Sequence, residues 1–330
     1  MQAVQFPASH QLDVTTVADP TPGEGEVLVR VRAAALNHRD LWIKLGQYMG
    51  LKYPIIPGSD GAGVVAEVGS GVTGVSVGDE VIINPGFDWG NDERGHGPDF
   101  TILGLPRDGT LAEQIVVPLS QLSAKPEHLS WEEAAALPLA GLTAHRALFS
   151  RGQLKEGEKV LITGIGGGVA LFALQFAVAA GAEVWVTSSS DDKIARAMTL
   201  GAQGGFNYSD VAWAQEAAVA EHAFDVIIDS AGGEGFESLI DLSATGARIV
   251  FFGATRGNPP VLAMRKIFWR HLNLLGTTMG SPADWAAMLA FVATHEIKPV
   301  VSATYPLAEA AAAFDLMEAG GQFGKIVVTN

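Results

Sequence analysis

The chain has 330 residues, enough for two domains, and its 48% hydrophobic residues are typical of a globular protein. Its 36 acidic and 21 basic residues give a formal net charge of −15, which disfavours nucleic acid as a partner because such a surface repels phosphate backbones. The absence of cysteine excludes disulfides, thiolate metal sites and a cysteine nucleophile.

The first third of the chain has the pattern of β structure. The segment "GEVLVRVRAAAL" alternates apolar and charged residues, which predicts a half-buried strand. The segment "GAGVVAEVGSGVTGVSVGDEVIINPG" places short valine and isoleucine runs between glycines, as in a barrel-like all-β unit. Residues 84–109 are polar and rich in turn residues, so we expect a long surface excursion there.

From about residue 124 the pattern changes to alternating strands and helices. Apolar strands are predicted at 160–163 and 183–187, with helices at 168–180 and 191–200 between and after them. The segments "FDVIIDSAGG" and "GARIVFFGA" predict further buried strands that end in glycine. This order predicts an α/β fold, a doubly wound parallel sheet covered by helices.

After about residue 296 the pattern returns to mixed β structure and ends in "GKIVVT", a strand that we expect to rejoin the first domain. The predicted domains are therefore 1–123 with 297–330, and 124–296 between them. The longest apolar run, "VALFALQFAVAAGAEVWV", contains Gly181 and Glu183 and predicts a buried helix followed by a strand. The N-terminus shows no basic segment followed by an apolar run, so we expect a cytoplasmic protein without membrane association.

The segment "EKVLITGIGGGVALFALQFA" combines an apolar strand, a glycine turn and a long helix, as a dinucleotide phosphate loop does. Glycine lets the backbone approach a phosphate, and the helix N-terminus offers N–H groups. The last glycine of G-x-G-x-x-G is replaced by Val169 or Ala170. Gly166, Gly167, Gly168 and Val169 are candidate cofactor-binding residues of this glycine loop (residues 163–170). A structural turn that binds nothing is the alternative.

The strand after the glycine loop ends in "VWVTSSSDDK". NAD enzymes usually carry an acidic residue at this distance from the glycines to bond the ribose 2′-hydroxyl. Here hydroxyl side chains stand in its place and Lys193 follows, which favours NADP(H), because hydroxyls and a cation suit a 2′-phosphate. Ser188, Ser189 and Lys193 are the candidate residues. The alternative is a serine cluster that only caps the next helix.

Nearly the whole chain resembles the medium-chain dehydrogenase/reductase family. The matching segments are "AALNHRDLW", "PGSDGAGVVAEVGSGVTGVSVGDEV", "LPLAGLTAHRAL", the glycine loop with its flanks and the closing "GKIVVT". The resemblance implies a GroES-like β domain formed by both chain ends and a Rossmann domain between them. It also implies an active site in the cleft between the two domains, and a homodimer.

Zinc enzymes of this family carry metal ligands that this chain lacks. They have a cysteine where Asn37 stands, a histidine where Ser59 stands and a further cysteine near Leu139 or Ala140. Four more cysteines hold a structural zinc in the lobe that corresponds to about 84–105. The resemblance is therefore to the zinc-free branch of quinone oxidoreductases and of enoyl and alkenal reductases.

A zinc site built from His38, His96 and Asp60 is the alternative. We discount it because a tetrahedral site needs three or four converging ligands, and in the family motifs neighbouring positions carry the metal. We expect no metal site. The 84–105 lobe has either a role over the active-site cleft or a surface role only.

The resemblance also implies roles for single residues. Asn37 is expected near the nicotinamide or the substrate carbonyl, Thr143 near the nicotinamide, and Tyr208 at the adenosine phosphate. Asp40 completes the "NHRD" match, so the candidate catalytic residues are Asn37, Asp40 and Thr143. Gly253, at the end of a predicted strand, is a further cofactor-binding candidate. Each of these residues has a structural alternative. Asn37 could cap a turn, Asp40 could be a helix N-cap, and Thr143 could be a helix hydroxyl bonded to its own backbone. Tyr208 could occupy a core position.

These observations favour one reaction. Without a metal, alcohol oxidation lacks a Lewis acid, whereas reduction of an electron-poor acceptor needs less assistance. The sequence predicts an NADPH-dependent reductase of a small conjugated carbonyl or quinone. One alternative is an alcohol dehydrogenase with an atypical or lost metal site, and the other is an NADPH-binding sensor or structural protein without turnover.

Overall fold

The computed structural model describes residues 1–219 and 223–330. These residues form two compact units, one of Met1–Ala140 with Ser281–Asn330, and one of Gly141–Gly280. The domain boundaries expected at 123/124 and 296/297 stay a prediction.

The strands in the described ranges are β1 (Gln2–Gln5), β2 (Asp13–Thr16), β3 (Glu26–Ala35), β4 (Asp60–Val68), β5 (Glu80–Ile83), β6 (Gly86–Phe87), β7 (Thr101–Ile102), β8 (Gln114–Pro118), β9 (Leu122–Ala124), β10 (Lys159–Ile162), β11 (Glu183–Ser188), β12 (Gly204–Asn207), β13 (Phe224–Asp229), β14 (Ser243–Phe251), β15 (Asn273–Gly276), β16 (Val301–Pro306) and β17 (Lys325–Thr329). The α-helices are α1 (His38–Lys44), α2 (Trp131–Ala136), α3 (Pro138–His145), α4 (Gly168–Ala179), α5 (Asp191–Thr199), α6 (Trp213–Val219), α7 (Phe236–Asp241), α8 (Met264–Trp269), α9 (Pro282–Thr294) and α10 (Ala310–Ala319).

The first unit is organised around β3. Its valines are buried while Arg30 and Arg32 are exposed, so the half-buried strand predicted from the alternation is confirmed. β3 pairs antiparallel with β4 along one edge, and with β8 and then β17 along the other. The sheet order is β16-β17-β3-β4-β5-β9, with β8 beside β3. The C-terminal strand thus joins the first sheet, as predicted, and it brings Lys325 to the end of β3.

The excursion at 84–105 has a small aromatic cluster of its own. The hairpin strands β6 and β7 pair antiparallel. The ring of Trp89 lies 5.3 Å from that of Phe100 and 5.8 Å from that of His96, and His96 stacks on Phe100 at 4.7 Å. Trp89 is buried. Aromatic packing therefore fills this lobe.

The second unit is a six-stranded parallel sheet in the order β12-β11-β10-β13-β14-β15. The central strand β10 is apolar and fully buried at Val160, Leu161 and Ile162, as expected of a strand covered on both faces. The predicted doubly wound parallel sheet is confirmed. Chain order reverses at β10, and in such sheets ligands bind outside the carboxyl ends of the strands at this point. The glycine loop leaves the sheet there.

Within the described part of the chain, no helix combines the length and the hydropathy that a membrane span requires.

Candidate functional site

At two positions of the glycine loop, the backbone has a conformation that only glycine adopts without strain. Gly164 has φ +66° and Gly166 has φ +124°. A β-carbon at Gly166 would also lie 3.0 Å from Cδ of Lys193, so the lysine stem packs directly against the loop. The N-cap of α4 is Gly167, which has no side chain to bond the N–H groups of the first helical turn. The loop thus fits an anionic group at the start of α4.

The missing last glycine is accommodated by small and partly buried side chains. Ala170 is buried and Val169 is half-buried in the first turn of α4. The loop is tied to the neighbouring strand because the N–H of Ile165 donates to the carbonyl oxygen of Thr187 at 2.8 Å. The hydroxyl of Thr163 donates to the carboxylate of Asp229 at 2.6 Å, which joins the carboxyl ends of β10 and β13. Local packing therefore holds the loop without the consensus glycine.

Two of the serines after β11, Ser188 and Ser190, have a structural role because they accept hydrogen bonds from nearby backbone N–H groups. Oγ of Ser190 accepts from the backbone N–H of Lys193 at 3.4 Å and caps α5, as the capping alternative expects. Ser188 is buried, and its Oγ accepts from the backbone N–H of Ser190 at 3.2 Å. Ser189 is exposed, so it is the member of the predicted pair with a side chain accessible to a ligand.

The ring of Tyr208 contacts a cationic side chain, Arg256, which no sequence pattern indicated. The guanidinium of Arg256 lies over the Tyr208 ring, 5.3 Å from its centroid. The N–H of Arg256 donates to the carbonyl oxygen of Ala231 at 2.9 Å, which anchors its turn to the loop after β13. Gly253 lies close to that same loop, because a β-carbon there would be 3.1 Å from the carbonyl oxygen of Ser230. No sequence signal links Arg256 to Tyr208, since they lie on separate loops.

In the first unit, Asn37 belongs to a cluster with Asp60 and Lys325, which we call the buried ion cluster. The ammonium of Lys325 donates to Oδ1 of Asn37 at 2.6 Å and to Oδ2 of Asp60 at 2.9 Å. Nδ2 of Asn37 donates to the same carboxylate oxygen at 3.0 Å, and the other oxygen of Asp60 accepts from the N–H of Leu139 at 2.8 Å. Asp60 is fully buried, and Asn37 keeps 9% of its surface.

The Asp40 carboxylate accepts hydrogen bonds from backbone N–H groups and not from the side chains of the buried ion cluster. Its Oδ2 accepts from the N–H of Asn37 at 2.8 Å, and its Oδ1 accepts from the N–H of Gly58 at 3.3 Å. Burial raises the pKa of this carboxyl above its usual value, while the Arg39 guanidinium and the hydrogen bond from Asn37 oppose the rise. Asp40 is thus the N3 residue of a capping box whose N-cap is Asn37, not the N-cap itself, and it fixes the backbone that carries Asn37.

Arg39 is a second buried cation of the first unit, next to Ser59. Its Nη1 donates to Oγ of Ser59 and to the carbonyl oxygen of Leu103, both at 2.6 Å. The guanidinium also lies 5.1 Å from the ring centroid of Tyr48. Ser59 is fully buried and donates to the carbonyl oxygen of Leu103 at 2.8 Å. The polar atoms of Ser59 are therefore engaged within the protein.

Three further polar residues of the family-like segments, His38, Thr143 and His145, differ in exposure. His38 begins α1 with part of its ring at the surface, and its pKa lies below the ordinary 6.5 because neighbouring atoms desolvate it and the Lys325 charge repels a second cation. Thr143 belongs to the second unit and is buried in α3. The ring of His145 is buried beside Phe149, at 4.8 Å between centroids, which is a core environment.

These side chains do not fit a zinc site of the family type. Oδ1 of Asn37 faces an ammonium, and Oγ of Ser59 faces a guanidinium, so both positions are next to positive charge. Among the described residues, no three His, Cys, Asp or Glu side chains are grouped to hold a metal ion.

Two family models match the chain. Residues 23–127 match the alcohol dehydrogenase GroES-like domain, and residues 168–294 match the model described as zinc-binding dehydrogenase. These ranges correspond to the β-rich first part of the chain and to most of the parallel-sheet unit.

Individual relatives have different activities in their names. The chain is 38% identical to the zinc-type alcohol dehydrogenase-like protein YogA of Leptosphaeria maculans, over 97% of this chain and 94% of that one. It is 32% identical to an acryloyl-coenzyme A reductase of Metallosphaera sedula, over 96% of each chain. A solved structure of an NAD-dependent alcohol dehydrogenase superposes with a TM-score of 0.94 at 40% identity and covers all of both chains.

Proposed function

The chain belongs to the medium-chain dehydrogenase/reductase family of oxidoreductases, and on this premise we propose that it reduces a small quinone or α,β-unsaturated carbonyl with NADPH and without a metal ion. The predicted family and the GroES-like plus Rossmann fold class are confirmed. The observation that carries the proposal is the buried ion cluster, in which an amide bonded to an ammonium stands where the resemblance to the zinc enzymes implies a cysteine ligand.

The residues of the chain serve the reaction by positioning and by hydrogen bonding. When bound, the reduced nicotinamide supplies a hydride. Asn37 donates a hydrogen bond to the carbonyl oxygen of the acceptor, where negative charge develops. Asp40 holds the backbone of Asn37, and Thr143 would contact the nicotinamide. An electron-poor acceptor suits this set because it gains little from a Lewis acid, whereas alcohol oxidation gains much. The similarity to an acryloyl-coenzyme A reductase supports the same substrate class.

The proposed cofactor is NADP(H), bound by the glycine loop and by the residues after β11 and β12. Gly166, Gly167, Gly168 and Val169 would hold the pyrophosphate, and Gly253 is a further candidate at the same edge of the sheet. Ser188, Ser189, Lys193 and Tyr208 would hold the adenosine end, with Ser189 and the Lys193 ammonium as the partners of the 2′-phosphate. The exposed Ser189 and the packing of Lys193 on the loop support this arrangement.

Cofactor preference is tested with dissociation constants for NADPH and NADH, on the wild type and on Lys193→Ala. Loss of one charge-assisted contact should weaken NADPH binding by about tenfold and leave NADH binding unchanged. Equal affinity of the wild type for the two cofactors would show that the 2′-phosphate assignment is wrong.

The reaction is tested by following NADPH oxidation with a panel of quinones, enals, enones and enoyl thioesters. We expect turnover of at least one conjugated acceptor and slow or absent oxidation of simple alcohols. The names of two relatives favour the rival alcohol dehydrogenase, for which alcohol oxidation would exceed enone reduction. The second rival, a sensor or structural protein, would bind NADPH and reduce none of these acceptors.

The proposed assembly is a homodimer, and the second unit offers a surface for it. Strand β15 ends the six-stranded sheet, and the preceding helix α8 exposes Phe268 at 63% and Trp269 at 80%. An edge strand beside exposed aromatic side chains suits pairing with a second copy. Light scattering should give twice the chain mass, and Trp269→Glu should shift it towards the monomer. A monomeric wild type would remove this proposal. A cytoplasmic location and the lack of nucleic-acid and membrane partners stay predictions.

A further inference from the structure

Lys325 has every ammonium hydrogen committed inside the first unit. It begins β17 with a buried side chain, and its Nζ donates to the carbonyl oxygen of Leu36 at 2.8 Å, to Asn37 and to Asp60. An ammonium has three N–H donors and no acceptor, so these three contacts use all of them. Two of the three acceptors belong to consecutive residues at the end of β3, immediately before α1. The lysine is therefore positioned to control the conformation of Asn37.

These contacts determine which way the Asn37 amide faces. Because the ammonium can only donate, the atom opposite it must be the amide oxygen. The carboxylate of Asp60 can only accept, so the atom opposite it must be the amide nitrogen. A flipped amide would place a donor against the ammonium and an acceptor against the carboxylate. Lys325 and Asp60 together therefore fix one orientation.

In this orientation the Asn37 amide has a second N–H, for which the described residues provide no acceptor. The amide nitrogen has two hydrogens, and one of them goes to Asp60 at 3.0 Å. The ammonium at the oxygen end polarises the amide, and hydrogen bonds that share a polarised group strengthen one another. The second N–H is thus a stronger donor than that of an isolated amide. Such a donor suits an oxygen that gains negative charge during reaction.

We propose that Lys325 is a positioning residue, which orients and polarises the Asn37 amide so that its second N–H stabilises the charge on the carbonyl oxygen of the acceptor. The inference rests on the proposed reduction of a conjugated carbonyl. It gives the lysine a catalytic effect without contact with the substrate. In the same proposal, Asp60 holds the nitrogen end of the Asn37 amide, while Lys325 holds the oxygen end.

The test is a double-mutant cycle on kcat with NADPH and the best acceptor, using Lys325→Met, Asn37→Ala and the double variant. Removal of one donor to a developing oxyanion costs about 10²-fold, so we expect a loss of that size from Asn37→Ala. Lys325→Met should lose at least about tenfold in kcat, and the double variant should be no slower than Asn37→Ala alone. Independent, multiplicative losses would overturn the proposal.

Two further variants separate positioning from folding. Lys325→Arg keeps the charge and should retain most of the activity, whereas Lys325→Gln keeps a donor without the charge and should be intermediate. Lys125→Met is the matched control, because the Lys125 side chain is only 8% exposed and bonds a carbonyl oxygen, of Leu129 at 2.9 Å, and a carboxylate, of Glu80 at 3.1 Å. Its kcat should stay within about threefold of wild type if burial of a lysine as such does not matter. If Lys325→Met does not fold, the comparison of Arg with Gln decides: equal activity would overturn the proposal.

A readout without turnover keeps this inference separate from the proposed function. The side-chain amide of Asn37 should give two distinct proton resonances by NMR, one of them slow to exchange because it is bonded to Asp60. In Lys325→Gln the proton bonded to Asp60 should shift and exchange faster. If no acceptor is reduced but this change occurs, the proposed reaction is wrong and the orientation of Asn37 by Lys325 stands. An unchanged Asn37 amide would show that Lys325 does not position it.

Discussion

The glycine loop of the second unit offers a ligand mainly backbone N–H groups, whereas the buried ion cluster of the first unit consists of side chains. The loop is built from residues next to one another in the chain, at the end of one strand and the start of one helix. The cluster joins residues 37, 60 and 325, which come together because β17 and β4 both pair with β3. A backbone site tolerates many side chains, while a side-chain cluster depends on each member. The following variants test that difference.

The largest expected effect is on stability, from Asp60→Ala. This change leaves the buried ammonium of Lys325 without its counter-ion, which costs about 3–5 kcal/mol of unfolding free energy. The control is Lys266→Ala, which breaks a partly exposed cluster with Glu237 and Asp241 and should cost at most about 1 kcal/mol. Urea unfolding of both variants measures the difference. A loss of unfolding free energy below about 1 kcal/mol in Asp60→Ala would mean that the buried ammonium of Lys325 does not depend on Asp60 as its counter-ion.

The glycine loop should fail through its backbone. Gly166→Ala places a β-carbon at a strained φ of +124° and 3.0 Å from Cδ of Lys193. Strain of this kind costs about 1–3 kcal/mol, and a loop that shifts to relieve it must return to the strained form to bind a phosphate. We therefore expect the dissociation constant of NADPH to rise by about 30-fold, as titration calorimetry would show. Gly235→Ala is the control, since Gly235 has φ −69° and open space at its β-carbon. Normal NADPH binding by Gly166→Ala would remove the loop from the cofactor site.

A smaller effect is expected from Arg256, the cation over Tyr208. If this guanidinium contributes to the adenosine end of the site, Arg256→Met should weaken NADPH binding by about fivefold, corresponding to about 1 kcal/mol. Arg265→Met, at another exposed arginine of the same unit, should leave the affinity unchanged. Fluorescence titration of both variants is sufficient. Equal affinities in the two variants would show that Arg256 has no such part.

The smallest effect concerns His38, whose pKa is lowered by desolvation and by the Lys325 charge. A lowered folded-state pKa means that the contribution of His38 to stability is present above its unfolded pKa and declines as the pH falls through its folded pKa. NMR titration should place the pKa of the ring below 6.5 in the wild type. Lys325→Met should move it upward, because one repelling charge is gone. If the pKa of His38 fell or stayed the same in Lys325→Met, the Lys325 charge would not be a cause of its lowered pKa.

The sequence predicted what neighbouring residues determine. The strand, turn and helix around the glycine loop and the cap at Ser190 follow from local patterns, and both are found in the structure. Asp40 matched a family motif, yet its carboxylate accepts from two backbone N–H groups, and one of these, of Gly58, lies 18 residues away in the chain. Lys325 was part of a recognised closing strand without an assigned role, because its partner Asn37 is 288 residues away. Long-range strand pairing, rather than any motif, creates that contact.

The most direct test of metal-free reduction measures zinc content and NADPH-dependent reduction on the same purified sample, before and after chelation. The amide and ammonium of the buried ion cluster predict far less than one zinc ion per chain and an enone or quinone reduction rate that chelation does not change. One zinc ion per chain, with the activity lost on chelation and restored by zinc, would contradict the proposal.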